Sequence, residues 1–155
     1  VVASMLICEM AAFYRTKGIS LLEAREKMYK TYGNYVHSQS SFTCEGASGM
    51  ERMKELMSML RTDTPKEIGG LKVVSFADYM ASEETCIECG KKTPITLPKS
   101  DVLAFNLEQG ASVIIRPSGT EPKIKAYYTT IGETKEAASK LRDTIADDFK
   151  SILGF

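Results

Sequence analysis

The sequence predicts an α+β fold: a two-layer sandwich with helices on one face of a mostly antiparallel sheet, preceded by two further helices. Several short runs alternate apolar and polar residues, which is the period of a β-strand. Other segments repeat apolar residues at helical spacing. From Asn34 onward the order is strand, helix, strand, a run of strands joined by tight turns, and a final helix. That order separates the helices from the sheet and favours the two-layer arrangement.

Two helices are predicted before the first strand. Val2 to Thr16 is apolar on nearly all sides, which is typical of a helix buried against other parts of a domain, and Gly18 suits the position just past its end. The second helix begins with the capping box Ser20-x-x-Glu23 and closes at Gly33. Because these helices have no strand of their own to pack on, we expect them to be the end of a domain that begins before this chain.

A strand is predicted over Asn34 to Cys44, and a helix follows it. Ser48-x-x-Glu51 forms a second capping box for that helix. One face of the helix carries apolar residues, namely Met50, Met53, Met57 and Leu60. We interpret this methionine stripe as core filling, with a partner groove as the alternative.

The second half of the chain contains most of the predicted strands. Leu71 to Phe76 is predicted as a short strand, and residues 77–99 as a long irregular connection. Further strands are predicted at residues 103–107, 112–115 and 124–129. Thr134 caps a final helix. The apolar face of that helix consists of Leu141, Ile145, Phe149 and Ile152.

Composition limits the partners. The chain has 155 residues, 43% of them hydrophobic, and a formal net charge of zero, so one or two small domains are expected. Without a basic block, no nucleic-acid partner is predicted. The apolar run at the start is shorter than the roughly 20 residues of a membrane span, so no membrane partner is predicted either.

Four cysteines occur, and two of them form the pair Cys86-x-x-Cys89. Such a pair could be half of a zinc site or a redox pair. No second C-x-x-C and no paired histidines complete a zinc set in the sequence. We interpret the cysteines as reduced thiols, which favours a cytoplasmic location.

The most specific signal is the stretch Arg116-Pro117-Ser118-Gly119-Thr120-Glu121-Pro122-Lys123 between two predicted strands. The two prolines lack an N–H and are expected to mark where strand pairing stops. An arginine fork, two hydroxyls and a glycine that lets the backbone approach closely are the groups that hold a phosphate. The predicted phosphate-binding residues are Arg116, Ser118, Gly119, Thr120 and Lys123. The carboxylate of Glu121 is expected to orient a cation or a sugar hydroxyl, and Lys125 is interpreted as facing solvent.

This octapeptide resembles the phosphate-binding loop in the C-terminal domain of the α-D-phosphohexomutases, the phosphoglucomutase/phosphomannomutase superfamily. Residues 3–12 are similar to the helix after the sugar-binding loop of the third domain of these enzymes, and residues 32–35 to the passage into the fourth domain. Residues 97–103 are similar to the branch that contains phosphoglucomutase. The resemblance covers nearly the whole chain.

The resemblance implies a four-domain enzyme in which a phosphoserine, a Mg²⁺ loop, a sugar-recognising loop and this phosphate loop surround one cleft. Residues 1–33 would be the C-terminal helices of an incomplete third domain. Residues 34–155 would be the fourth domain, with a TATA-binding-protein-like fold. The implied partners are glucose or mannose 1- or 6-phosphate, glucose 1,6-bisphosphate and the remaining domains. The family's phosphate-binding roles fall on Arg116, Ser118, Gly119 and Thr120, with Lys123 secondary.

The chain also departs from the family pattern, because it contains no Ser-His-Asn-Pro loop, aspartate-rich loop or Glu-Glu-Ser loop. We therefore expect no catalytic residue, no Mg²⁺ site and no mutase activity in this chain alone, with Mg²⁺ held by the full-length enzyme. Two alternatives stay open. One is a phosphopentomutase of the same superfamily. The other is a non-catalytic α+β interaction module in which Cys86 and Cys89 bind zinc.

Overall fold

A computed structural model describes residues 1–46 and 48–155. Over these residues the helices are α1 (Val2–Thr16), α2 (Leu21–Tyr32), α3 (Gly49–Thr62) and α4 (Lys135–Ile152). The strands are β1 (Asn34–Thr43), β2 (Glu67–Ile68), β3 (Leu71–Asp78), β4 (Glu83–Cys86), β5 (Lys92–Pro94), β6 (Leu103–Leu107), β7 (Ser112–Pro117) and β8 (Lys123–Gly132). A 3-10 turn, Glu108–Gly110, joins β6 to β7.

The strands form a mixed-length antiparallel sheet in the order β1-β8-β7-β6-β3-β4-β5, and β2 pairs with β3 beside it. Helices α3 and α4 lie on the same face, because their buried side chains join the inward residues of β7 and β8 in one core. Fully buried members of that core from the helices and these strands include Met57, Leu60, Val113, Ile115, Ile124, Tyr128, Ile145 and Phe149. The predicted two-layer α+β sandwich is confirmed.

The two N-terminal helices form as predicted. The backbone N–H groups of Gly18 and Ile19 donate to the carbonyls of Arg15 and Tyr14, which closes the end of α1. The capping box of α2 is complete, since Ser20 and Glu23 each accept a backbone hydrogen bond from the other. Neither helix buries a residue, however. The apolar side chains of α1, predicted to be buried, are exposed in this chain, because α1 packs on α2 alongside the sheet domain rather than within its core.

The prediction of a second capping box, at the start of α3, is wrong. Ser48 precedes α3, but its side chain makes no capping hydrogen bond to the described residues. A capping serine needs an extended backbone so that its hydroxyl reaches back over the first turn. Ser48 has φ −88° and ψ 7°, since it lies in a turn closed by the Gly49 N–H donating to the Gly46 carbonyl.

The methionine stripe is core for the most part. Met53 and Met57 are 4% and 1% exposed, as the core interpretation predicts, and Leu60 is fully buried. Met50 is 45% exposed and does not belong to the core. On α4 the predicted cap is present, with the Ala137 N–H donating to Thr134 Oγ1 at 3.1 Å.

The prediction of an irregular connection over residues 77–99 is wrong in its central part, where the structure has two strands. Strand β3 continues to Asp78, and β4 and β5 form a hairpin that extends the sheet edge. These two strands carry exposed or half-buried residues, so they lack the apolar alternation that marks a strand in sequence. Their pairing depends on backbone hydrogen bonds with β3 and on a turn in which Gly90 has φ +67°.

Candidate functional site

Five residues, 118–122, connect β7 to β8 at one end of the sheet. The prolines mark the ends of pairing as predicted, because β7 ends at Pro117, which lies opposite Ile124, and β8 begins at Lys123, directly after Pro122. The Ser118 N–H donates to the Lys123 carbonyl at 2.7 Å and supplies the bond that Pro117 cannot make. Pro117 is therefore the last residue of β7, and Pro122 is the last residue of the loop before β8.

The loop is supported by the end of β1 and the start of α3. The Cys44 N–H donates to the Pro122 carbonyl at 2.8 Å. A Cβ built on Gly49 would overlap the Cys44 carbonyl oxygen and lie 3.1 Å from Pro122 Cβ, so only glycine allows α3 to begin this close to the loop. The first turn of a helix has free N–H groups and a partial positive charge. The start of α3 therefore adds positive potential beside the loop.

Arg116 lies on the outer face of the sheet, opposite the core face. Its neighbour Ile115 is fully buried, and Arg116 itself is exposed, as strand alternation requires. The Nη2 and Nε atoms of Arg116 lie 3.3 and 3.4 Å from Tyr127 Oη, and the guanidinium carbon lies 5.9 Å from the Tyr127 ring centroid. Nε and Nη2 thus face Tyr127 Oη at long distance, and the other N–H groups of the exposed guanidinium are accessible to a ligand.

Lys125 lies on the outer face of the sheet, as its interpretation as a solvent-facing residue predicts, but its neighbour on that face was not predicted. It pairs with Arg116 across β7 and β8, so both cations rise from the same patch of the outer face. Cross-strand neighbours on one face have Cβ atoms roughly 5 Å apart. Period-two alternation gives the face on which Lys125 lies, but its position opposite Arg116 depends on the register that the loop sets.

Lys123 and Glu121 interact within the loop. Lys123 Nζ lies 3.1 Å from Glu121 Oε1, and Lys123 is half-buried. The expectation that Glu121 orients a cation is confirmed by this contact. Lys123 is therefore paired with a carboxylate beside the loop, and Arg116 and Lys125 lie next to each other on the outer face of the sheet.

The tip of the loop is open to solvent. Gly119 and Thr120 are exposed and Ser118 is half-buried. A Cβ built on Gly119 would meet nothing within 4 Å, so space exists there for a bound group. The Ser118 N–H is already engaged with Lys123, which leaves the Ser118 hydroxyl as the polar group that this residue can offer to a ligand.

Taken together, these residues offer two neighbouring cations, two hydroxyls and an open glycine, beside a helix N-terminus. Such a set can hold an oxyanion through charge-assisted hydrogen bonds. Among residues 1–46 and 48–155, no group of three or more His, Cys, Asp or Glu side chains could hold a metal ion. No helix in the same part of the chain is long and apolar enough to cross a membrane.

Fold and site thus define a class: a two-layer α+β domain that presents a cationic loop between two central strands. Residues 51–148 match the family described as phosphoglucomutase/phosphomannomutase, C-terminal domain. The chain belongs to the phosphoglucomutase/phosphomannomutase family.

Similar proteins agree with this family. A phosphoglucomutase of Staphylococcus aureus is 37% identical over 124 residues, which is 80% of this chain and 22% of that protein. A phosphoglucomutase of Staphylococcus epidermidis is 33% identical over 141 residues, covering 90% of this chain and 26% of that protein. The chain therefore spans about a quarter of the length of these curated relatives.

A solved structure supports the fold. The open form of pp63/parafusin, a phosphoglucomutase from Paramecium, superposes with a TM-score of 0.55 at 14% sequence identity. The match covers 87% of this chain and 23% of the Paramecium chain. At that identity the similarity concerns the fold.

Proposed function

We propose that the loop at residues 116–123 binds the non-reacting phosphate of a phosphosugar. In this proposal the chain is the C-terminal substrate-binding part of a mutase that interconverts hexose 1-phosphate and hexose 6-phosphate through a phosphoserine and a bisphosphate intermediate. The observation that carries the proposal is the position of Arg116 and Lys125, two cations side by side at the base of an open, glycine-containing loop.

Each residue has a role that its position supports. Arg116 donates two parallel hydrogen bonds to phosphate oxygens, because its planar fork matches that geometry. The hydroxyls of Ser118 and Thr120 donate to the remaining oxygens, while Gly119 lets the phosphate approach the backbone. Lys123, restrained by Glu121, contributes charge from the side of the loop. Lys125 joins this set as a further cation, since it lies opposite Arg116.

Holding one phosphate of a sugar positions the other for transfer without any chemistry at the loop. A hexose bisphosphate carries two phosphates, and a group that binds either of them in the same way serves both halves of the reaction. Phosphoryl transfer depends on positioning and on charge stabilisation at the reacting phosphorus. The chain's proposed share of this work is recognition and positioning.

We further propose the domain division and the surroundings of the chain. Residues 1–33 belong to a third domain, and residues 34–155 form the fourth; the matched residues 51–148 lie within the latter. The exposed apolar side chains of α1, including Met5, Leu6 and Ile7, would pack on preceding parts of the third domain. Mg²⁺ would be held elsewhere in the complete enzyme, because the described residues contain no three-ligand cluster. We also propose that the protein is located in the cytoplasm.

The specific sugar is proposed to be glucose or mannose phosphate, with pentose phosphate as the alternative within the same family. The zinc-binding interaction module has less support, since Cys86 and Cys89 supply two of the four ligands that a structural zinc site takes. No third His, Cys, Asp or Glu joins them among residues 1–46 and 48–155.

Titration of the chain with glucose 1-phosphate tests the proposal. We expect the backbone N–H signals of Ser118, Gly119 and Thr120 to shift first in NMR spectra. The phosphate would sit against the N–H groups of Gly119 and Thr120, and it would reach Ser118 through the hydroxyl, since the Ser118 N–H is bonded to the Lys123 carbonyl. Glucose without phosphate is the control and should leave these signals in place. If millimolar glucose 1-phosphate moved no signal in the loop, the phosphate-binding role would be wrong.

A turnover assay tests the division of labour. We expect the chain alone not to interconvert glucose 1-phosphate and glucose 6-phosphate, with or without added glucose 1,6-bisphosphate and Mg²⁺. The reason is that the sequence contains neither the Ser-His-Asn-Pro loop of the family's phosphoserine nor its aspartate-rich Mg²⁺ loop, and phosphoryl transfer depends on both positioning and charge stabilisation. Sustained interconversion by the purified chain, proportional to its concentration, would contradict this expectation.

A further inference from the structure

The turn between β4 and β5 brings two cysteines together. Cys86 ends β4, and the Cys89 backbone N–H donates to Cys86 Sγ at 3.4 Å. The turn is closed by the Gly90 N–H donating to the Cys86 carbonyl and by the Cys86 N–H donating to the Lys91 carbonyl, each at 2.9 Å. These bonds hold both thiols on one short loop of fixed shape.

The turn is tied to the rest of the sheet. The Ile87 N–H donates to the Val74 carbonyl at 2.9 Å, and Lys92 forms an ion pair with Glu83 at 2.7 Å across the hairpin. Gly90 takes the left-handed conformation that the tight reversal needs. Cys86 is half-buried and Cys89 exposed, so a small reagent can reach the pair from solvent.

The surroundings also favour the thiolate of Cys86. A hydrogen bond from the Cys89 side chain, together with the Cys89 backbone N–H, lowers the pKa of Cys86. The thiolate is the nucleophilic form of cysteine, and C-x-x-C turns commonly favour it. The nearby Glu88 carboxylate opposes the shift without cancelling it.

We propose that Cys86 and Cys89 form a redox-active dithiol that closes reversibly into an intramolecular disulfide by exchange with a small disulfide of the glutathione class. The Cys86 thiolate attacks one sulfur of the small disulfide, so that a Cys86–sulfur bond forms and the small disulfide's bond breaks, releasing one thiolate. Cys89 then loses its proton and attacks the Cys86 sulfur, which forms the internal disulfide and expels the second small thiolate. Two protein thiols lose two electrons, the small disulfide gains them, and the released thiolates take up the protons.

This site is separate from the phosphate loop. Cys86 pairs with Ser75, Ser75 with Asn106, and Asn106 with Ser112, the first residue of β7. Arg116 lies near the other end of β7. The dithiol is therefore at the opposite end of the sheet, separated from β7 by the two strands β3 and β6, and its test does not depend on phosphate binding.

Equilibration in glutathione buffers of graded redox ratio tests the proposal. After acid quenching, the remaining free thiols are alkylated and the peptide containing residues 86–89 is analysed by mass spectrometry. We expect this peptide to carry neither an alkyl group nor glutathione, because its two thiols are joined in a disulfide. This should occur at ratios of oxidised to reduced glutathione at which most of Cys8 is still a free thiol. Cys8 is the internal control, because it is exposed on α1 and is not part of a C-x-x-C pair.

Two variants sharpen the test. Cys89→Ser should trap glutathione on Cys86, because the second attack is removed, whereas Cys8→Ser should leave the internal disulfide unchanged. The proposal is wrong if residues 86–89 stay alkylated at both thiols in every buffer, or if they take up glutathione only in parallel with Cys8. It is also wrong if the purified chain holds about one zinc ion per two chains through four cysteines and zinc keeps these thiols from oxidation.

Discussion

Replacing Arg116 with alanine should weaken phosphosugar binding by roughly ten- to a hundredfold. Bidentate contacts between a guanidinium and a phosphate are worth roughly 1.5–3 kcal/mol, and each 1.4 kcal/mol is about tenfold in affinity. The change also leaves Lys125 as the one cation of the cross-strand pair, so part of the attraction survives. We expect the dissociation constant of the chain for glucose 1-phosphate to rise by this factor, and kcat/KM of the complete mutase to fall similarly.

The controls separate charge, geometry and folding. Arg116→Lys keeps the charge but loses the fork, so it should retain only part of the affinity. Arg25→Ala removes an exposed arginine on α2 that pairs with Glu26 and should leave binding unchanged. Because Arg116 is exposed, the melting temperature of Arg116→Ala should stay close to that of the unchanged chain. Undiminished binding in Arg116→Ala would remove the arginine from the site and, with it, the observation on which the proposed function depends.

The sequence predicts the central elements well because their burial is regular. In β8 the residues alternate between core and outer face along the whole strand, and α4 places Ile145 and Phe149 on one buried side. A periodic pattern of this kind is a local signal. Where burial is irregular, the local signal fails, as in the exposed strands β4 and β5, which pair through their backbones at the sheet edge.

Local propensity also fails where tertiary packing sets the backbone. Ser48 has the residue type and spacing of a helix cap, but close packing of Gly49 against Cys44 and Pro122 places Ser48 in a turn instead.

The octapeptide motif locates the candidate site in the sequence, since its residue types are unusual between two strands. The neighbours of that site come from other elements. The start of α3, the orientation of Arg116 by Tyr127 and the position of Lys125 all require register and packing, which no single stretch of sequence contains.

Replacing Phe149 with alanine should destabilise the chain by about 3–5 kcal/mol, the usual cost of removing a buried phenylalanine side chain. Phe149 is fully buried, and its ring centroid lies 5.8 Å from that of Phe105 on β6 and 6.4 Å from that of Tyr128 on β8. The ring therefore joins α4 to two strands of the sheet. Alanine would leave a cavity between them that backbone packing can only partly close. Urea denaturation followed by circular dichroism should show a lower midpoint with a similar slope.

Phe13→Ala is the matched control, because the same side chain is removed from a site that is 51% exposed on α1. It should change the free energy of unfolding by less than about 0.5 kcal/mol. A large effect at Phe13 with a small one at Phe149 would place the stabilising core in the N-terminal helices, contrary to the structure. Destabilisation at Phe149 has a functional consequence, because strand β8 connects the core to the site. Strand β8 carries Lys123 and Lys125 on its outer face, and on its inner face Tyr128 contacts Phe149. Loosening α4 should therefore weaken phosphate binding through the position of β8, even though Phe149 lies on the other side of the sheet from the ligand.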